Sequence, residues 1–323
     1  MIYQKKFVHS PKDAIPQCHA ATITEFPDHS LLCAWYAGEY EKAKNVEIYA
    51  SKLGAEAHNW EPEFTLANTP GFSEGNPILF TEPTGRIWHL YVTMLGEGWL
   101  NCQVKVMFSE DGISWSQPEL FIEETGWMTG CKPIMGSKGD ILIPLYLEKG
   151  VCYVLKIGAK GERTMSQPVK TQFGVIQPSL AYLSDGRLMM MMRTYEKEVK
   201  NRTLWQSFSS DVGLTWSGPE RARLPNPDSR IDILRLHNGN LALAFNDTPS
   251  ARSPLTLALS DDDGKTWSSR LDIETNPNEY SYPALIQSSD GLLHLVYTWK
   301  RTHICHVVCD EEWIRMHGRG EDS

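Results

Sequence analysis

The sequence predicts an all-β fold, a six-bladed β-propeller of four-stranded antiparallel blades that occupies residues 1–323 as a single domain. Three observations predict it. Two short motifs recur in a constant phase, short β-type runs lie between them, and no long stretch keeps a helical period. Recurrence at about fifty residues is typical of propeller blades, each of which is built from four strands.

The first motif reads Ser-x-Asp-x-Gly-x-Thr-Trp and occurs at residues 209–216 and 260–267, with a version one residue shorter at 109–115. In such a turn the Asp and Ser oxygens accept hydrogen bonds from backbone N–H groups, and glycine adopts the positive φ that other residues avoid. The tryptophan provides a large apolar surface for a neighbouring unit. Asp111, Asp211 and Asp262 are therefore expected to hold hairpin turns together rather than to catalyse a reaction.

The second motif lies upstream of these turns and consists of a polar leading residue, often followed by proline, and an apolar stretch that ends at a tight turn. Its copies begin 57, 56, 45, 53 and 52 residues apart. Two different motifs that keep one phase predict six repeated units. The leading residues are His19, Asn76, Lys132, Gln177, Arg230 and Tyr282.

The strands are expected in the runs between these motifs. Residues 187–192, 241–245 and 292–297 are each about one strand long and follow Asp-Gly or Asn-Gly turns. The sixth unit begins at Tyr282 and has too little chain after it for four strands. Its fourth strand is expected near Gln4–His9, so that the N-terminal strand closes the ring.

Composition disfavours several classes of protein. The net charge is −9 without a basic stripe, which argues against a nucleic acid partner. No apolar run reaches the roughly 18 residues of a membrane-spanning helix, and the amino terminus has no apolar signal core, so a cytoplasmic protein with no membrane partner is expected. Seven irregularly spaced cysteines indicate reduced, buried thiols. No metal or cofactor motif is present, and none is expected in the reaction.

The leading residues form the predicted site, because the innermost strand of every propeller blade starts near the central axis on the same face. Their side chains should converge there on a polar, ionisable cavity, which is a common form of ligand site. Arginine binds carboxylates through two parallel hydrogen bonds, so an anionic ligand is favoured. Further candidates at strand ends and in loops are Arg193, Arg252, Asp232, Glu39, Glu41 and Trp127.

These motifs resemble the Asp boxes of the sialidase superfamily, and nearly the whole chain is similar to the BNR-repeat branch of that superfamily. Family sialidases bind the substrate carboxylate with three arginines. They use a tyrosine nucleophile, a glutamate that polarises it and an aspartate as acid/base. The resemblance implies that Arg193 and Arg252 are the second and third arginines and that Tyr282 is the nucleophile.

Three positions depart from the family pattern. The first arginine falls on His19, and the assisting glutamate falls on Gln177, which cannot take a proton. A glutamate of the loop after Gly38, either Glu39 or Glu41, has to replace the acid/base aspartate. A tyrosine without a base is a poor nucleophile, so sialic acid cleavage by the usual route is in question.

Three functions fit this set of residues. A glycoside hydrolase acting on a terminal anionic sugar ranks first on the family resemblance, with a loop glutamate as acid and His19 as base. A β-eliminating lyase acting on a uronic acid is the second; there Lys132 or an arginine neutralises the carboxylate, and His19 and Tyr282 supply base and acid. The third is a glycan-binding propeller without turnover. The partner is in each case an acidic oligosaccharide or glycoconjugate, and Tyr280 and Arg301 are expected to support Tyr282.

Overall fold

The protein is described from a computed structural model that covers residues 1–136, 138–196 and 199–320. The described strands form antiparallel sheets, and the fold is a six-bladed β-propeller, as the repeats predict. Among the described residues no helix has both the length and the apolar composition needed to cross a membrane.

The first half of the chain contains the strands of blades 1 to 3. The chain begins with β1 (Tyr3–His9). Blade 1 contains β2 (Gln17–Glu25), β3 (Leu31–Gly38), β4 (Glu47–Leu53) and β5 (Phe64–Ala67). Blade 2 contains β6 (Ser73–Thr81), β7 (Ile87–Met94), β8 (Cys102–Ser109) and β9 (Glu119–Leu120). After β10 (Trp127–Thr129), blade 3 contains β11 (Ile134–Met135), β12 (Ile141–Leu147), β13 (Val151–Ile157) and β14 (Arg163–Met165).

The second half contains blades 4 to 6. Blade 4 has β15 (Val175–Tyr182), β16 (Leu188–Thr194), β17 (Thr203–Ser209) and β18 (Glu220–Pro225). Blade 5 has β19 (Asp232–Arg235), β20 (Leu241–Phe245), β21 (Leu255–Ser260) and β22 (Ser269–Glu274). Blade 6 has β23 (Tyr280–Gln287), β24 (Leu293–Trp299) and β25 (His303–Cys309), and β1 pairs with β25 as its fourth strand. Strand β1 thus pairs at the place where the sequence predicts a fourth strand for the sixth unit.

Every blade has the same tight turn between its first two strands. In blade 4, the N–H of Leu183 bonds the carbonyl of Arg187, and the N–H of Gly186 bonds the carbonyl of Leu183. The same two backbone hydrogen bonds recur in the other five blades, so residues can be matched between blades by counting from this turn. The first residues of the six turns are Phe26, Glu82, Gly136, Leu183, Leu236 and Ser288.

The Ser-Asp-Gly-Trp turns have the role that the sequence predicts. Asp211 Oδ1 accepts the N–H groups of Leu214 and Thr215, at 3.2 and 2.8 Å, while Ser209 Oγ accepts that of Gly213. Gly213 has a φ of 81°. In the equivalent turn of blade 2, backbone hydrogen bonds lower the pKa of the Asp111 carboxyl to about 2. The oxygens of these carboxylates are occupied by hydrogen bonds that stabilise the turns.

Contact clustering divides the chain into two compact units. Unit 1 comprises Met1–Tyr3, Gly130–Ser281 and Cys309–Ser323, and unit 2 comprises Gln4–Thr129 and Tyr282–Val308. Each unit has its own apolar core between blades: Ile233, Leu243 and Phe245 belong to that of unit 1, and Ile48 and Tyr91 to that of unit 2. The single-domain description remains a prediction.

A short helix near the carboxyl terminus was not expected from the sequence. Helix α1 (Glu311–His317) begins after Asp310, whose side chain accepts the N–H of Trp313 at 2.7 Å. The Trp313 ring stacks on Tyr3 with centroids 5.3 Å apart. Helix α1 is only seven residues long, so it has too few turns for a helical period to stand out in the sequence.

Candidate functional site

Three of the six leading residues lie at a repeated irregularity of the innermost strands. Asn76, Gln177 and Tyr282 have positive φ values of 43°, 54° and 55°, and each is followed by proline. At Asn76 and Gln177 the pairing with the next strand shifts register, which is the mark of a β-bulge. A bulge points a side chain out of the regular ladder, and non-glycine residues adopt this conformation at a cost. Bulges are enriched beside functional sites.

In blade 1 the bulge is one residue away from the predicted leading residue. Ala20 has the positive φ, 54°, and the register shifts between His19 and Thr22. A second repeated contact confirms the shift. Thr22 Oγ1, two residues after Ala20, accepts the N–H of Leu79, just as Ser179 Oγ, two residues after Gln177, accepts that of Ile233. The prediction that His19 leads the first copy was therefore wrong by one residue. Counted from the common turn, the prediction that Lys132 leads the third copy was wrong by two residues, because Gly130 holds the equivalent position.

In unit 2, His19 still lies directly beside Tyr282. The two ring centroids are 4.1 Å apart at an interplanar angle of 51°, and the His19 ring also meets the edge of Tyr36 at 5.7 Å. His19 is buried with 3% of its surface exposed, whereas Tyr282 is half-buried. Both rings carry a group that can gain or lose a proton.

The two candidate glutamates of the blade 1 loop have different surroundings. Glu41 lines a small cavity in unit 2 together with His19, Tyr36 and Arg301, and its carboxylate pairs with the Arg301 guanidinium. Glu39 is exposed and does not line that cavity.

Asn76 is buried, and its carbonyl accepts the hydroxyl of Thr129 at 2.7 Å. Trp127 is half-buried at the start of β10.

In unit 1, two of the predicted cations form one hydrogen-bonded group. Gln177 Oε1 accepts Arg193 Nε at 2.6 Å, and Arg193 also forms an ion pair with Asp228. Arg252 forms an ion pair with Glu279 at 2.7 Å and donates from Nη2 to the carbonyl of Asp228 at 3.0 Å. Arg193 and Arg252 thus contact the same residue, Asp228: Arg193 through its carboxylate and Arg252 through its carbonyl.

The remaining predicted residues of unit 1 are Lys132, which is half-buried, and Asp232 and Arg230. Lys132 Nζ lies 2.7 Å from Asp232 Oδ2, and Ser179 donates to the other oxygen of Asp232. Asp232 and Arg230 are 1% and 2% exposed, so both are withdrawn from solvent. Burial, with the Asp232 charge acting in the same direction, raises the pKa of the nearby Cys131 thiol to about 12. Thiolate chemistry is therefore disfavoured there.

Sequence reasoning missed Asp228, Glu279 and Ser179 as partners of the site. Asp228 lies two residues before Arg230, and Glu279 three before Tyr282, so proximity to a leading residue was the one available signal. Neither occurs at a repeated motif position. Loop carboxylates of this kind are usually solvated, and only the fold shows that these two face arginines.

Comparison with known proteins supports the fold and the repeat family. The profile of a family described as "BNR repeat-like domain" matches residues 29–295. A search of curated protein sequences gives no match.

Solved structures with the same fold include several sialidases. The Hadza microbial sialidase Hz136 has a TM-score of 0.79 and 18% identity, covering 96% of this chain and 69% of that one. A protein of unknown function from Dyadobacter fermentans has a TM-score of 0.78 and 16% identity, with coverage of 95% and 98%. The sialidase of Trypanosoma rangeli in complex with sialic acid has a TM-score of 0.77 and 12% identity, with coverage of 98% and 60%. At such identities the likeness concerns the fold.

Proposed function

We propose that this chain, which belongs to the BNR repeat-like domain family, is a carbohydrate-active enzyme that cleaves a terminal carboxylate-bearing sugar from a glycan. Tyr282 and His19 are proposed as catalytic residues, and Arg193 and Arg252 as the groups that bind the sugar carboxylate. The observation that carries the proposal is the contact between the Tyr282 and His19 rings, at 4.1 Å between centroids.

The catalytic roles follow from which groups can exchange a proton. The Gln177 side chain cannot accept a proton, and its oxygen is hydrogen-bonded to Arg193. It therefore cannot activate a tyrosine. His19 is the ionisable group in ring contact with Tyr282, and imidazole is the side chain best suited to act as general base near neutral pH. We assign His19 as the base that accepts the Tyr282 proton. Tyr282 then stabilises or traps the oxocarbenium-like centre.

Glu41 is the better candidate for the acid/base role of the loop. Its carboxylate shares a cavity with His19 and is oriented by Arg301, whereas Glu39 faces solvent. A carboxyl group that protonates a leaving oxygen has to be held in position, because proton transfer needs hydrogen-bond reach. Glu41 therefore takes the role that the sequence left open between two glutamates.

The substrate class follows from the cations of unit 1. Arg193 and Arg252 present guanidinium groups whose planar geometry matches a carboxylate, and both contact polar partners rather than apolar core. A ligand that bridges two guanidinium groups binds better through a carboxylate than through hydroxyl groups, so a sugar acid is favoured over a neutral sugar. The resemblance to solved sialidases agrees with a glycan substrate, since the T. rangeli enzyme is described in complex with sialic acid.

A β-eliminating lyase is the second candidate, and the replacement of a base glutamate by Gln177 favours it. Elimination requires a base for the C5 proton and an acid for the leaving group, which a His19–Tyr282 pair could supply. Incubation with oligosaccharides that carry uronic acid or sialic acid ends, followed by mass spectrometry and ultraviolet absorbance, separates the two reactions. A hydrolase adds one water per cleavage. A lyase adds none and forms a conjugated, ultraviolet-absorbing product.

Arg301 gives a prediction that separates function from stability. Lys300 and Arg301 are the central residues of the turn between β24 and β25, with φ values of 55° and 59°. Such a turn prefers Asn-Gly, so each side chain is held at a cost of about 1–2 kcal/mol. Substituting Arg301→Gly relieves this cost while removing the partly exposed Glu41 ion pair. We expect the free energy of unfolding to stay within about 1 kcal/mol of the wild type, while turnover falls by roughly tenfold or more.

Lys300→Gly is the matched control, because it has the same backbone conformation while its ammonium group lies over Trp299. It should keep full turnover. Denaturant unfolding and initial rates on the same preparations provide the comparison. Equal losses of turnover in both variants would show that the turn conformation, and not the guanidinium group, is what the site requires.

A further inference from the structure

The two arginines proposed to bind the sugar carboxylate already share a partner within the chain. Asp228 lies in the segment between β18 and β19, where its carboxylate pairs with Arg193 and its carbonyl accepts Arg252 Nη2 at 3.0 Å. The contact with Arg193 is of the same chemical kind as the one expected from the substrate. Asp228 therefore occupies guanidinium surface that a sugar acid needs.

The segment that carries Asp228 is held firmly by its own hydrogen bonds. The amide oxygen of Asn226 accepts the N–H groups of Asp228 and Ser229 at 3.1 and 3.0 Å, and its amide nitrogen donates to the Ser229 carbonyl at 2.9 Å. Asn226 is 1% exposed. Asp228 has a φ of 79°, a strained conformation that persists only where the surroundings enforce it. The backbone position of Asp228 is thus specified by the fold, while its side chain can change partners.

Asp228 also changes the charge that a ligand meets. The described residues of this cluster in unit 1 include four cations, Lys132, Arg193, Arg230 and Arg252, and three carboxylates, Asp228, Asp232 and Glu279. The sum is one positive charge. Without the Asp228 carboxylate it is two, so this residue lowers the electrostatic attraction for an incoming anion. Asp232 is fully buried against Lys132 and cannot be displaced as readily.

We propose that Asp228 is a specificity-determining residue, a built-in competitor that the substrate's carboxylate displaces from Arg193. This inference rests on the proposed function, since it assumes that the arginines bind a sugar acid. An anion can exchange for the Asp228 carboxylate at a guanidinium group, whereas a neutral hydroxyl cannot repay the lost ion pair. Asp228 therefore lowers affinity for all ligands but excludes neutral sugars most strongly.

The competing explanation is that Asp228 only orients Arg193. The two explanations predict opposite changes in ligand affinity when the Asp228 carboxylate is removed. A competitor raises ligand affinity when removed, whereas an orienting residue lowers it. Asp228→Asn tests this, because asparagine is isosteric, tolerates positive φ and leaves the carbonyl contact with Arg252 in place. Asp261→Asn is the matched control, since Asp261 also pairs with an arginine, Arg315, but at an exposed position.

The measurement is isothermal titration calorimetry with free N-acetylneuraminic acid, glucuronic acid and, as the neutral probe, glucose. We expect Asp228→Asn to bind at least one of the two acids about tenfold more tightly than the wild type, with a relative gain at least as large for glucose and no change for Asp261→Asn. Thermal unfolding of each variant verifies that it is folded. If Asp228→Asn is not folded, Asp228→Ser, which removes the carboxylate and keeps a polar side chain, replaces it.

Each outcome decides the matter. Tighter acid binding by Asp228→Asn supports the proposal whether or not any glycan is cleaved, and also when the wild type itself shows no measurable binding. Unchanged or weaker binding overturns it, and the proposed function then stands on the wild-type affinity for the acid. Absence of acid binding in both proteins overturns this inference together with the carboxylate-binding role of the arginines.

Discussion

Substituting Tyr282→Phe should reduce turnover of an acidic glycan by about a hundredfold to ten-thousandfold, the range associated with loss of a positioned proton-transfer or nucleophilic group. Phenylalanine keeps the ring that packs against His19, at 4.1 Å between centroids, and removes only the hydroxyl. The fold and the affinity for a free sugar acid should therefore be retained. Initial rates and calorimetry on the same preparations provide the measurement.

Tyr153→Phe is a suitable control, since Tyr153 is a half-buried strand residue of blade 3 outside the proposed catalytic set. It should leave turnover unchanged. His19→Ala is expected to match Tyr282→Phe in activity, because base and tyrosine act in one proton transfer and their effects are not additive. Turnover that survives Tyr282→Phe contradicts the tyrosine role for hydrolysis and elimination alike. Lost binding of the free acid would instead indicate a role in ligand affinity.

Acidification should destabilise the protein through a buried histidine of blade 2. His89 lies in β7 with no exposed surface, and its ring stacks on Tyr91 at 4.9 Å. Burial lowers the pKa of His89 from 6.5 to about 3. The unfolded chain takes up a proton on His89 near pH 6.5, whereas the folded chain does so only near pH 3. The stability that neutral, buried His89 provides is therefore fully present above pH 6.5 and is lost as the pH falls toward 3. The free energy of unfolding should fall by up to about 1.4 kcal/mol per pH unit from this one group.

His89→Leu tests that explanation with a residue the fold already uses. Counted from the common turn, the equivalent positions of blades 4, 5 and 6 contain Met190, Leu243 and Leu295, all fully buried. The variant should show a shallower loss of stability between pH 6.5 and 4 in urea unfolding. The exposed control His58→Gln should follow the wild type. Buried His294 and His306, whose pKa values are also lowered by burial, contribute to the slope that remains, as does the Asp111 carboxyl, whose pKa is lowered by hydrogen bonds.

The overall architecture could be predicted from the sequence because repeated blades are built by local rules. Turn residues recur at fixed offsets: Asp211 accepts the N–H of Thr215, and Asp262 accepts that of Thr266 in the equivalent turn. Six units and the closing strand β1 follow from that periodicity and from the shortage of chain after Tyr282. The short helix α1 escaped prediction, since it belongs to no repeat.

The candidate site was predictable only in part. Asn76, Gln177 and Tyr282 lie at equivalent positions, as the motif predicts, but the motif missed the one-residue shift to Ala20 in blade 1 and the two-residue shift to Gly130 in blade 3. A bulge is defined by cross-strand hydrogen bonds, and one strand read alone cannot show where its register slips. The functional roles of these residues remain predictions.

By itself the sequence determined the number of blades, the turns that hold them and the residue types available at the strand starts. Only the tertiary structure decided which charges meet. Glu41 and Arg301 are 260 residues apart, and Arg193 meets Asp228 across two blades. Local hydrogen bonds repeat with the motif that makes them, whereas an ion pair between distant loops depends on where the backbone brings each loop, and no short stretch of sequence encodes that.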